Sequence, residues 1–370
     1  MTRPRLLIAG GGIAGLALRH ALARRGVEAE VAERAPGARS GGTGLYLPAN
    51  AVRALRDLGL ADALGARAVP VTRQEFRDHR GRLLAGFDLS AVWGDTDGCR
   101  AVRRADLHAV LAGGPEAAGV RYGNAVEAVQ DDGSVVFADG SRGRYDLVVG
   151  ADGVDSAVRE SAFEGVDPVF LGQICWRFLA PAGDLPAGTW TARLGSRGRT
   201  LLTLPIGDGD VYCFAAVDSR VPEPPGGDWR EIFADFDTGG LLDHARNAHF
   251  AALREVRGDD WIRPHAVLLG DAAHACSPSM AQGGAMALED AVVLAEVLAE
   301  VLAGARTRDD LPGALAEYRR RRAPRIRFVL AQNRRRDRAR ALPGPVRAVL
   351  FRHLGLPVIR RNHAGLLARP

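Results

Sequence analysis

The sequence contains no lysine. It has 370 residues, all 49 of its Lys and Arg positions are arginine, and with 44 Asp and Glu the formal net charge is +5. The absence of lysine excludes a Walker-type phosphate lysine, a Schiff base to pyridoxal phosphate or a carbonyl substrate, and a lysine general base. Arginines, whose planar forks suit oxyanions, are therefore the candidates for binding anionic groups.

Cysteine and long apolar runs are also scarce. The four cysteines are scattered and contain no C-x-x-C pair, which argues against a zinc site and against a disulfide framework. We therefore expect no metal site and a reducing, cytoplasmic setting. No stretch approaches the ~18 uninterrupted apolar residues of a membrane span, and the N-terminus shows no signal-peptide pattern. The rest of the composition, 47% hydrophobic and 25% charged, predicts one large globular domain or two interleaved ones.

A βαβ unit opens the chain. An apolar run at residues 5–9 leads into a glycine-rich turn at residues 10–15, a helical segment at residues 16–25 and a second apolar alternation ending at Glu33. A G-x-G-x-x-G turn between strand and helix, with an acid about 20 residues on, is typical of dinucleotide binding. We predict that Glu33 accepts the ribose hydroxyls, and we include the adjacent Arg34 among the cofactor contacts.

Each residue of this turn has a physical task. Gly10 and Gly12 let the backbone turn and approach a pyrophosphate, and Gly15 allows close helix packing. Ile13 and Ala14 lie between them, where the amides and dipole of the helix start meet the phosphate charge.

Later segments alternate between patterns. We predict one or two helices at residues 48–64, a hairpin at residues 76–84 and a helix at residues 102–111, then strands at residues 120–129, 135–138 and 145–150. Short strands follow at residues 173–180, 189–194, 200–205 and 211–217, separated by Gly, Pro and Asp turns, which indicates an inserted and mostly antiparallel sheet. Helices are then expected to return before a last parallel strand at residues 266–269 and a buried helix at residues 283–302.

The C-terminal arm is rich in arginine. Residues 318–340 contain eleven Arg without aromatic interleaving or a nucleic-acid-binding motif. We expect a solvated helical face and no nucleic-acid partner. The small positive net charge of the chain is mostly a property of this arm.

Three strand-to-turn segments must be explained together, because a simple NAD dehydrogenase needs only the first. They are GGGIAG at residues 10–15, VVGADGVDSAVR at residues 148–159 and LLGDAAHACSPSMAQGGAMALEDA at residues 268–291. With these motifs in this order, the sequence resembles the class A flavoprotein monooxygenases, which have the para-hydroxybenzoate hydroxylase fold. The resemblance covers nearly the whole chain.

The resemblance implies an α/β architecture with an inserted sheet. Its expected FAD-binding domain is Rossmann-like and comprises residues 1–70, 99–163 and 266–305. A mostly antiparallel substrate-binding sheet comprises residues 71–98 and 164–265, and a C-terminal helical arm comprises residues 306–370. The glycine loop at residues 41–44 only approximates the family's Gly-x-Gly-Ile pattern.

The resemblance also implies roles for particular residues. Asp271 would bind the ribityl chain of FAD, and Pro278 would lie near the flavin face. Asp152, with Arg159 as its expected ion-pair partner, would hold the region where family members contact FAD and NAD(P)H. Arg104 matches the family arginine that contacts FAD, with Arg103 as the alternative one residue earlier.

Two more expectations concern the segment after Asp271. The amides of Gln282, Gly283 and Gly284, which open a helix, would face the flavin pyrimidine and stabilise negative charge there. His274 is expected to be a packed, hydrogen-bonded histidine rather than a base, and Cys276 a small apolar filler rather than a nucleophile.

The inserted sheet is expected to form the substrate pocket. Arg199 and Tyr212 lie on neighbouring predicted strands and are the candidates for binding or activating a phenolate, while Trp176 and Arg177 resemble the family's Trp-Arg strand. The alternatives are that Trp176 is a core residue, that both arginines are surface partners and that Tyr212 only packs in the sheet.

The implied reaction is hydroxylation of an aromatic or phenolic small molecule. NAD(P)H reduces FAD, O2 gives a C4a-hydroperoxide, and its distal oxygen is transferred to the substrate. A flavin-dependent halogenase would need a lysine and a WxWxIP segment, and the chain has neither. Epoxidation, Baeyer–Villiger insertion and a non-catalytic FAD-containing metabolite binder stay as alternatives. Nothing in the sequence specifies the substrate or an oligomeric state.

Overall fold

The computed structural model describes residues 4–37, 43–94, 96–113, 119–302, 310–340 and 342–370. The strands in this part of the chain are β1 (Leu6–Ala9), β2 (Glu30–Glu33), β3 (Gly44–Leu47), β4 (Val69–Val71), β5 (Arg73–Asp78), β6 (Leu83–Asp88), β7 (Cys99–Arg103), β8 (Val120–Tyr122), β9 (Val126–Val129), β10 (Ser134–Phe137), β11 (Arg142–Arg144), β12 (Leu147–Gly150), β13 (Pro168–Pro181), β14 (Thr189–Leu194), β15 (Thr200–Gly207), β16 (Asp210–Asp218), β17 (His249–Val256), β18 (Ile262–Arg263) and β19 (Ala266–Leu268).

The helices of the same residues are α1 (Ile13–Ala23), α2 (Ala49–Asp57), α3 (Ala61–Gly65), α4 (Ser90–Trp93), α5 (Arg104–Ala112), α6 (Ala157–Ala162), α7 (Asp271–His274), α8 (Gly283–Leu302), α9 (Leu311–Arg340) and α10 (Gly344–His363). Short 3-10 turns cover Trp229–Phe233, Leu241–Asn247, Pro278–Met280 and Ala364–Leu366. No helix among these residues is long and apolar enough to cross a membrane.

A six-stranded sheet forms the first layer. Its order is β18-β19-β12-β1-β2-β8, and every pairing from β19 to β8 is parallel. The strands β1, β12 and β19 are buried along their whole length, as expected for a parallel sheet covered on both faces. The predicted Rossmann-like sheet is confirmed, and α8 is the buried helix that the sequence predicts, since it packs on α1, α2 and α9.

The second large sheet is seven-stranded, in the order β17-β13-β16-β15-β14-β5-β6. All of its pairings are antiparallel except β14 with β5. The strand β13 alternates between two faces. Ile174, Trp176 and Phe178 pack with the 3-10 turns on one face, and Cys175 packs with Phe214 on the other. The sheet is mostly antiparallel, as predicted. One of its faces packs on the 3-10 turns, and the opposite face carries Cys175 and Phe214.

Some predicted elements were wrong. The helix predicted at residues 102–111 begins only at Arg104, because the two preceding residues belong to β7, which pairs with β3 and β4. The strand predicted at residues 120–129 is two strands that join different sheets. Sequence analysis missed β17 altogether, since its residues have weak strand propensity and it is held by pairing with β13.

The C-terminal arm also differs from the expectation of a solvated face. The helix α9 buries Tyr318, Arg322, Ile326 and Asn333 against the rest of the molecule. Arg322 is fully buried. The sequence did not predict this burial, because the amino-acid composition of a helix does not distinguish a buried arginine paired with a carboxylate from an exposed one.

Candidate active site

Three motif segments meet at one edge of the parallel sheet. The backbone amide of Gly10 donates to the carbonyl of Ala32 (2.7 Å), that of Ala151 to Ala9 (2.8 Å), and that of Leu269 to Gly150 (2.9 Å). The turns after β1, β12 and β19 are thus neighbours at the carboxyl ends of their strands. Chain order also reverses between β1 and β12, which is where open α/β sheets bind ligands.

The glycine loop at residues 10–15 leaves an open space beside its backbone, which we call the cradle. Gly10 has φ +106°, and a Cβ there would lie 2.4 Å from the carbonyl oxygen of Ala151. A Cβ on Gly15 would lie 1.9 Å from the Gly10 oxygen, whereas one on Gly12 would meet nothing within 4 Å. The loop is therefore closed toward the protein and open at Gly12, where amides at the start of α1 can meet a phosphate.

Glu33 is buried and holds the loop from the end of β2. Its Oε2 accepts from the amide of Gly11 (2.6 Å) and its Oε1 from that of Ala35 (2.8 Å). Each carboxylate oxygen has a further lone pair, so Glu33 can still accept a ribose hydroxyl. Arg34 is exposed beside it.

The start of α5 reaches the same loop. His108 is buried, and its Nε2 hydrogen-bonds the carbonyl oxygen of Gly11 (2.9 Å). Arg104 is half-buried one turn earlier on this helix. The guanidinium of Arg103 is instead paired with Asp210 (2.5 Å). Arg104 stays the predicted cofactor contact, since the guanidinium of the alternative, Arg103, is engaged in this ion pair. His108 was missed by sequence reasoning, although its four-residue spacing from Arg104 puts both on one helix face.

Asp152 is the residue with unused hydrogen-bonding capacity. Its Oδ2 accepts from the amide of Val158 (3.3 Å), but its buried Oδ1 has no partner among the described residues. Burial raises the pKa of Asp152, and the hydrogen bond from Ser156 opposes that shift. A polar ligand in the cradle would satisfy the free oxygen.

The expected ion pair between Arg159 and Asp152 was wrong. The guanidinium of Arg159 donates to the carbonyl oxygens of Ala272 (3.0 Å) and Val154 (2.6 Å) instead. These bonds tie the turn after β12 to α7, so Arg159 positions the two motif segments relative to each other.

Asp271 is exposed at the first position of α7 and faces the start of α8. A Cβ on Gly283 would lie 3.7 Å from its Oδ1. The first i→i−4 hydrogen bond of α8 runs from the Met286 amide to the Gln282 carbonyl (2.8 Å). The amides of Gly283 and Gly284 therefore lie before the first hydrogen bond of the helix, as the sequence predicts. The side chain of Gln282 is buried against Asn50 (2.9 Å), so only its backbone can serve a ligand.

His274 and Cys276 have the structural roles expected from the sequence. His274 is buried, and its Nε2 contacts Oδ2 of Asp290 at 2.6 Å. Cys276 packs against a buried hydrophobic cluster that includes Trp261 and Met280, and burial raises the pKa of its thiol far from a reactive range.

A cavity of about 390 Å³ lies between the seven-stranded sheet and the C-terminal helices. Its wall is mainly apolar and aromatic, with Phe76, Trp190 and Phe214 on the sheet side and Phe351 on α10. Pro278 and Ser279 also line it, seven and eight residues after Asp271. The segment from Asp271 to Ser279 therefore connects the cradle to the cavity, and we call its end, residues 277–280, the shared wall.

Helix α9 fixes that shared wall. Asp337 accepts hydrogen bonds from the hydroxyls of Ser277 (3.0 Å) and Ser279 (2.5 Å), and Oδ1 of Asn333 accepts from the amide of Met280 (3.1 Å). Pro278 is held between these bonds and is exposed.

Tyr212 and Arg177 do not line the cavity, although Phe214, the residue that Arg177 approaches, does. Tyr212 packs so closely on β3 that a Cβ on Gly44 would lie 2.3 Å from its own Cβ. Burial raises the pKa of Tyr212 to about 12, partly offset by Arg177. The guanidinium of Arg177 lies 5.9 Å from the ring centre of Phe214. Burial opposes its charge, but Cys175, Tyr212 and Asp271 hold the pKa of Arg177 above its ordinary value.

Arg199 and Trp176 lie elsewhere. Arg199 pairs with Asp235 (2.5 Å), donates to the carbonyl of Ile232 (2.8 Å) and stands over the ring of Phe236. It does not line the cavity, and these contacts give it the role of a surface partner. Trp176 is buried and stacks on Trp229 with ring centres 4.5 Å apart, so it is a core residue.

The second glycine loop is only partly described. Gly41 and Gly42 lie outside the described residues, while Gly44 begins β3. The hydroxyl of Tyr46 is buried beside Cys99 and Trp93, and that burial raises its pKa. Tyr46 therefore faces the protein core.

Replacing Asp271 by alanine tests the cradle. Loss of a charged acceptor is expected to weaken FAD binding by about tenfold or more, since such a hydrogen bond contributes about 1.5–3 kcal/mol. Because Asp271 is exposed, thermal stability of the apoprotein should stay unchanged. Fluorescence titration of FAD into the apoprotein measures the effect. The control is Asp155→Ala, an exposed carboxylate of the neighbouring turn that pairs with Arg254; equal losses in both variants would contradict the assignment.

Comparison with known proteins accounts for this arrangement. A family described as an FAD binding domain matches residues 4–175 and 227–333. A 2-heptyl-3-hydroxy-4(1H)-quinolone synthase of Pseudomonas aeruginosa is 33% identical over 311 residues, covering 79% of this chain and 80% of the relative. A 3-amino-4-hydroxybenzoate 2-monooxygenase of Streptomyces platensis is 36% identical over 366 residues, covering 93% and 90%. The structure of HpxO from Klebsiella pneumoniae complexed with FAD and uric acid is similar with a TM-score of 0.84 at 25% identity, covering 99% and 97%.

Proposed function

The chain belongs to the class A FAD-dependent monooxygenases, and on that premise we propose that it hydroxylates an aromatic or heteroaromatic small molecule bound in the 390 Å³ cavity. The observation that carries this proposal is the shared wall. Pro278 and Ser279 line the cavity and lie in the same motif as Asp271, so a substrate there would adjoin the flavin. The names of the relatives, an aminohydroxybenzoate monooxygenase and a quinolone synthase, agree with a flat aromatic substrate.

FAD fits the residues of the cradle. The open space at Gly12 suits the pyrophosphate, the unpartnered oxygen of Asp152 needs a donor, and Asp271 with the first amides of α8 offers both an acceptor and donors. We infer that Glu33 and Arg34 contact the adenosine end and that Arg104 contacts the flavin-bearing half. Bound FAD, reduced by NAD(P)H, would supply the chemistry that activates O2, with one oxygen atom going to the substrate and the other to water.

The chain's own residues would orient the substrate. The aromatic side chains of Phe76, Trp190 and Phe351 can hold a flat ring, and α10 supplies one wall of the cavity. Tyr212, with its high pKa, stays a neutral hydroxyl at neutral pH and can donate a hydrogen bond or accept one. We infer that Arg177 beside it is the cation that stabilises a phenolate.

Residues 71–98 and 164–265 supply the seven-stranded sheet, and we infer that they form the substrate-binding unit. The C-terminal arm, residues 306–370, supplies the opposite wall of the same cavity through α9 and α10. Substrate binding therefore depends on both segments. Four free cysteines, three of them buried, support a reducing cytoplasmic setting.

Ligand-stimulated turnover tests the function. The purified protein should be yellow, and an aromatic substrate should accelerate NAD(P)H oxidation and yield an oxygenated product. Leu350→Trp, which narrows the cavity from α10, is expected to lower kcat/KM by about tenfold or more, on the scale of a misfitted pocket. Val349→Trp is the control, because Val349 is the adjacent exposed residue and does not line the cavity.

Two outcomes would contradict the proposal. A colourless protein that takes up no FAD would remove the flavin assignment. Equal effects of Leu350→Trp and Val349→Trp on a substrate's kcat/KM would place substrate binding outside this cavity.

A further inference from the structure

Four arginines line the otherwise apolar cavity, and they differ in their partners. Arg340 pairs with Asp337 (3.0 Å) and Asp218 (3.2 Å). Arg347 is buried and donates to the carbonyl oxygens of Gly195 (2.6 Å) and Arg340 (3.1 Å). Arg335 is exposed, so water solvates its charge. The fourth, Arg336, shares none of these arrangements.

Arg336 has neither a hydrogen bond nor an ion pair with any residue of the described ranges. It is half-buried and lines the cavity on α9. Burial lowers its pKa to about 10, and the nearby charge of Asp337 only partly opposes this. The guanidinium is therefore still a cation at neutral pH, held in a poorly solvated place without a counter-ion.

The neighbours of Arg336 place it close to the reaction centre of the proposed enzyme. Asp337, the next residue, binds Ser277 and Ser279, and Asn333, one turn earlier, binds the amide of Met280. These bonds hold Arg336 against the wall that carries Pro278. A ligand that touches this arginine would therefore lie beside the flavin-facing segment.

An unpaired cation in an apolar cavity selects a particular ligand. Desolvating a charge costs free energy unless an opposite charge or hydrogen-bond acceptor compensates. A planar carboxylate matches the guanidinium fork with two hydrogen bonds. The aromatic side chains Phe76, Trp190 and Phe351 on the wall favour a flat apolar body for the rest of the molecule.

We propose that Arg336 is a specificity-determining residue that binds a carboxylate on an aromatic substrate. This inference rests on the proposed use of the cavity for substrate, and it names the substrate class as aromatic acids. Exposed Arg335 contributes little, since its charge is hydrated before and after binding.

Calorimetric binding of two matched probes to the FAD-loaded enzyme tests the proposal. The probes are 2-naphthoate and 2-naphthamide, which share shape but differ in charge. Wild-type enzyme should bind the carboxylate at least about tenfold more tightly than the amide, on the scale of one charge-assisted pair. Arg336→Gln should remove this preference by weakening naphthoate binding while leaving naphthamide binding unchanged, and Arg336→Lys should restore part of it.

Arg338→Gln is the matched control, because Arg338 is exposed on the same helix and does not line the cavity. Equal affinities of the two probes for the wild-type enzyme overturn the proposal, and so does a lack of binding of either probe at millimolar concentration. A loss in Arg335→Gln as large as that in Arg336→Gln also overturns it. Carboxylate-selective binding by an enzyme in which no aromatic ligand stimulates NAD(P)H oxidation would contradict the proposed function and leave this inference standing.

Discussion

Replacing Gly10 by alanine is expected to yield a destabilised protein that purifies without bound FAD. The residue has φ +106°, and the new Cβ would lie 2.4 Å from the carbonyl oxygen of Ala151 and 2.8 Å from the Cα of Asp152. Both obstacles are backbone atoms of the turn after β12, so no side chain can rotate away. The substitution therefore combines backbone strain of about 1–3 kcal/mol with overpacking of about 1–3 kcal/mol.

Substitutions of two other glycines distinguish the effects of backbone strain and steric clash on stability from the effect on FAD binding. Gly26 has φ +72° but open space around it, so Gly26→Ala should cost strain alone and keep FAD. Gly12 has φ −81°, and its Cβ would meet no protein atom. Gly12→Ala should therefore keep the stability of the apoprotein and weaken FAD binding, because the methyl group enters the open cradle. Urea unfolding and FAD titration measure the two effects; a stable, yellow Gly10→Ala protein would show that the two turns are not in contact.

The parallel sheet could be predicted from sequence because its signals are local. Each of β1, β12 and β19 is a short apolar run that ends directly in a Gly or Gly-Asp turn. The strand β17 carries no such signal, because its residues include Arg254 and Glu255 and its place in the sheet depends on pairing with β13. A local sequence pattern predicts a strand whose residues are apolar and buried. It does not predict an edge strand such as β17, whose position depends on pairing with the neighbouring strand β13.

The residues of the candidate site also differ in whether a local sequence pattern predicts them. Gly12, Glu33, Asp152 and Asp271 could be found because backbone geometry at strand ends demands particular residue types. The sequence predicted Arg199 as a substrate contact, and the structure instead pairs it with Asp235 away from the cavity. A strand pattern does not show which face of the sheet an arginine occupies or which partner it meets. Arg336 was hidden among eleven arginines, because only the folded chain shows which of them is half-buried without a counter-charge.

A buried charge network joins the C-terminal arm to the flavin-binding motif. Arg322 donates from Nε to Oδ1 of Asp290 (2.7 Å) and from Nη1 to Oε2 of Glu289 (2.9 Å). The other oxygen of Asp290 contacts His274 and accepts from the amide of Gly270 (3.0 Å). All of these side chains are almost completely buried. The turn that carries Asp271 is therefore anchored to α9 through the carboxylate of Asp290, which bridges it to Arg322.

Replacing Arg322 by methionine is expected to destabilise the protein by about 3–5 kcal/mol, because two buried carboxylates lose their shared partner. FAD should also bind more weakly, since the Gly270 turn loses support. The control is Arg320→Met, which removes only an exposed pair with Glu317 and should change neither quantity. Urea unfolding and FAD titration are the measurements, and a loss of stability below about 1 kcal/mol would match a solvated surface pair instead.

The pH dependence of this variant has a definite sign. Burial works against the charge of Asp290, but His274 and Arg322 lower its pKa to about 2. A carboxylate with a lowered pKa stabilises the folded state above its ordinary pKa of about 3.9, and this contribution is lost as the pH falls through the folded value. Without Arg322 the pKa of Asp290 should rise, so protonation removes the uncompensated charge at a higher pH. The difference in free energy of unfolding between wild type and Arg322→Met should therefore be largest near neutral pH and shrink as the pH falls below about 4. A difference that grows in acid would mean that Arg322 stabilises the fold by packing rather than by its charge.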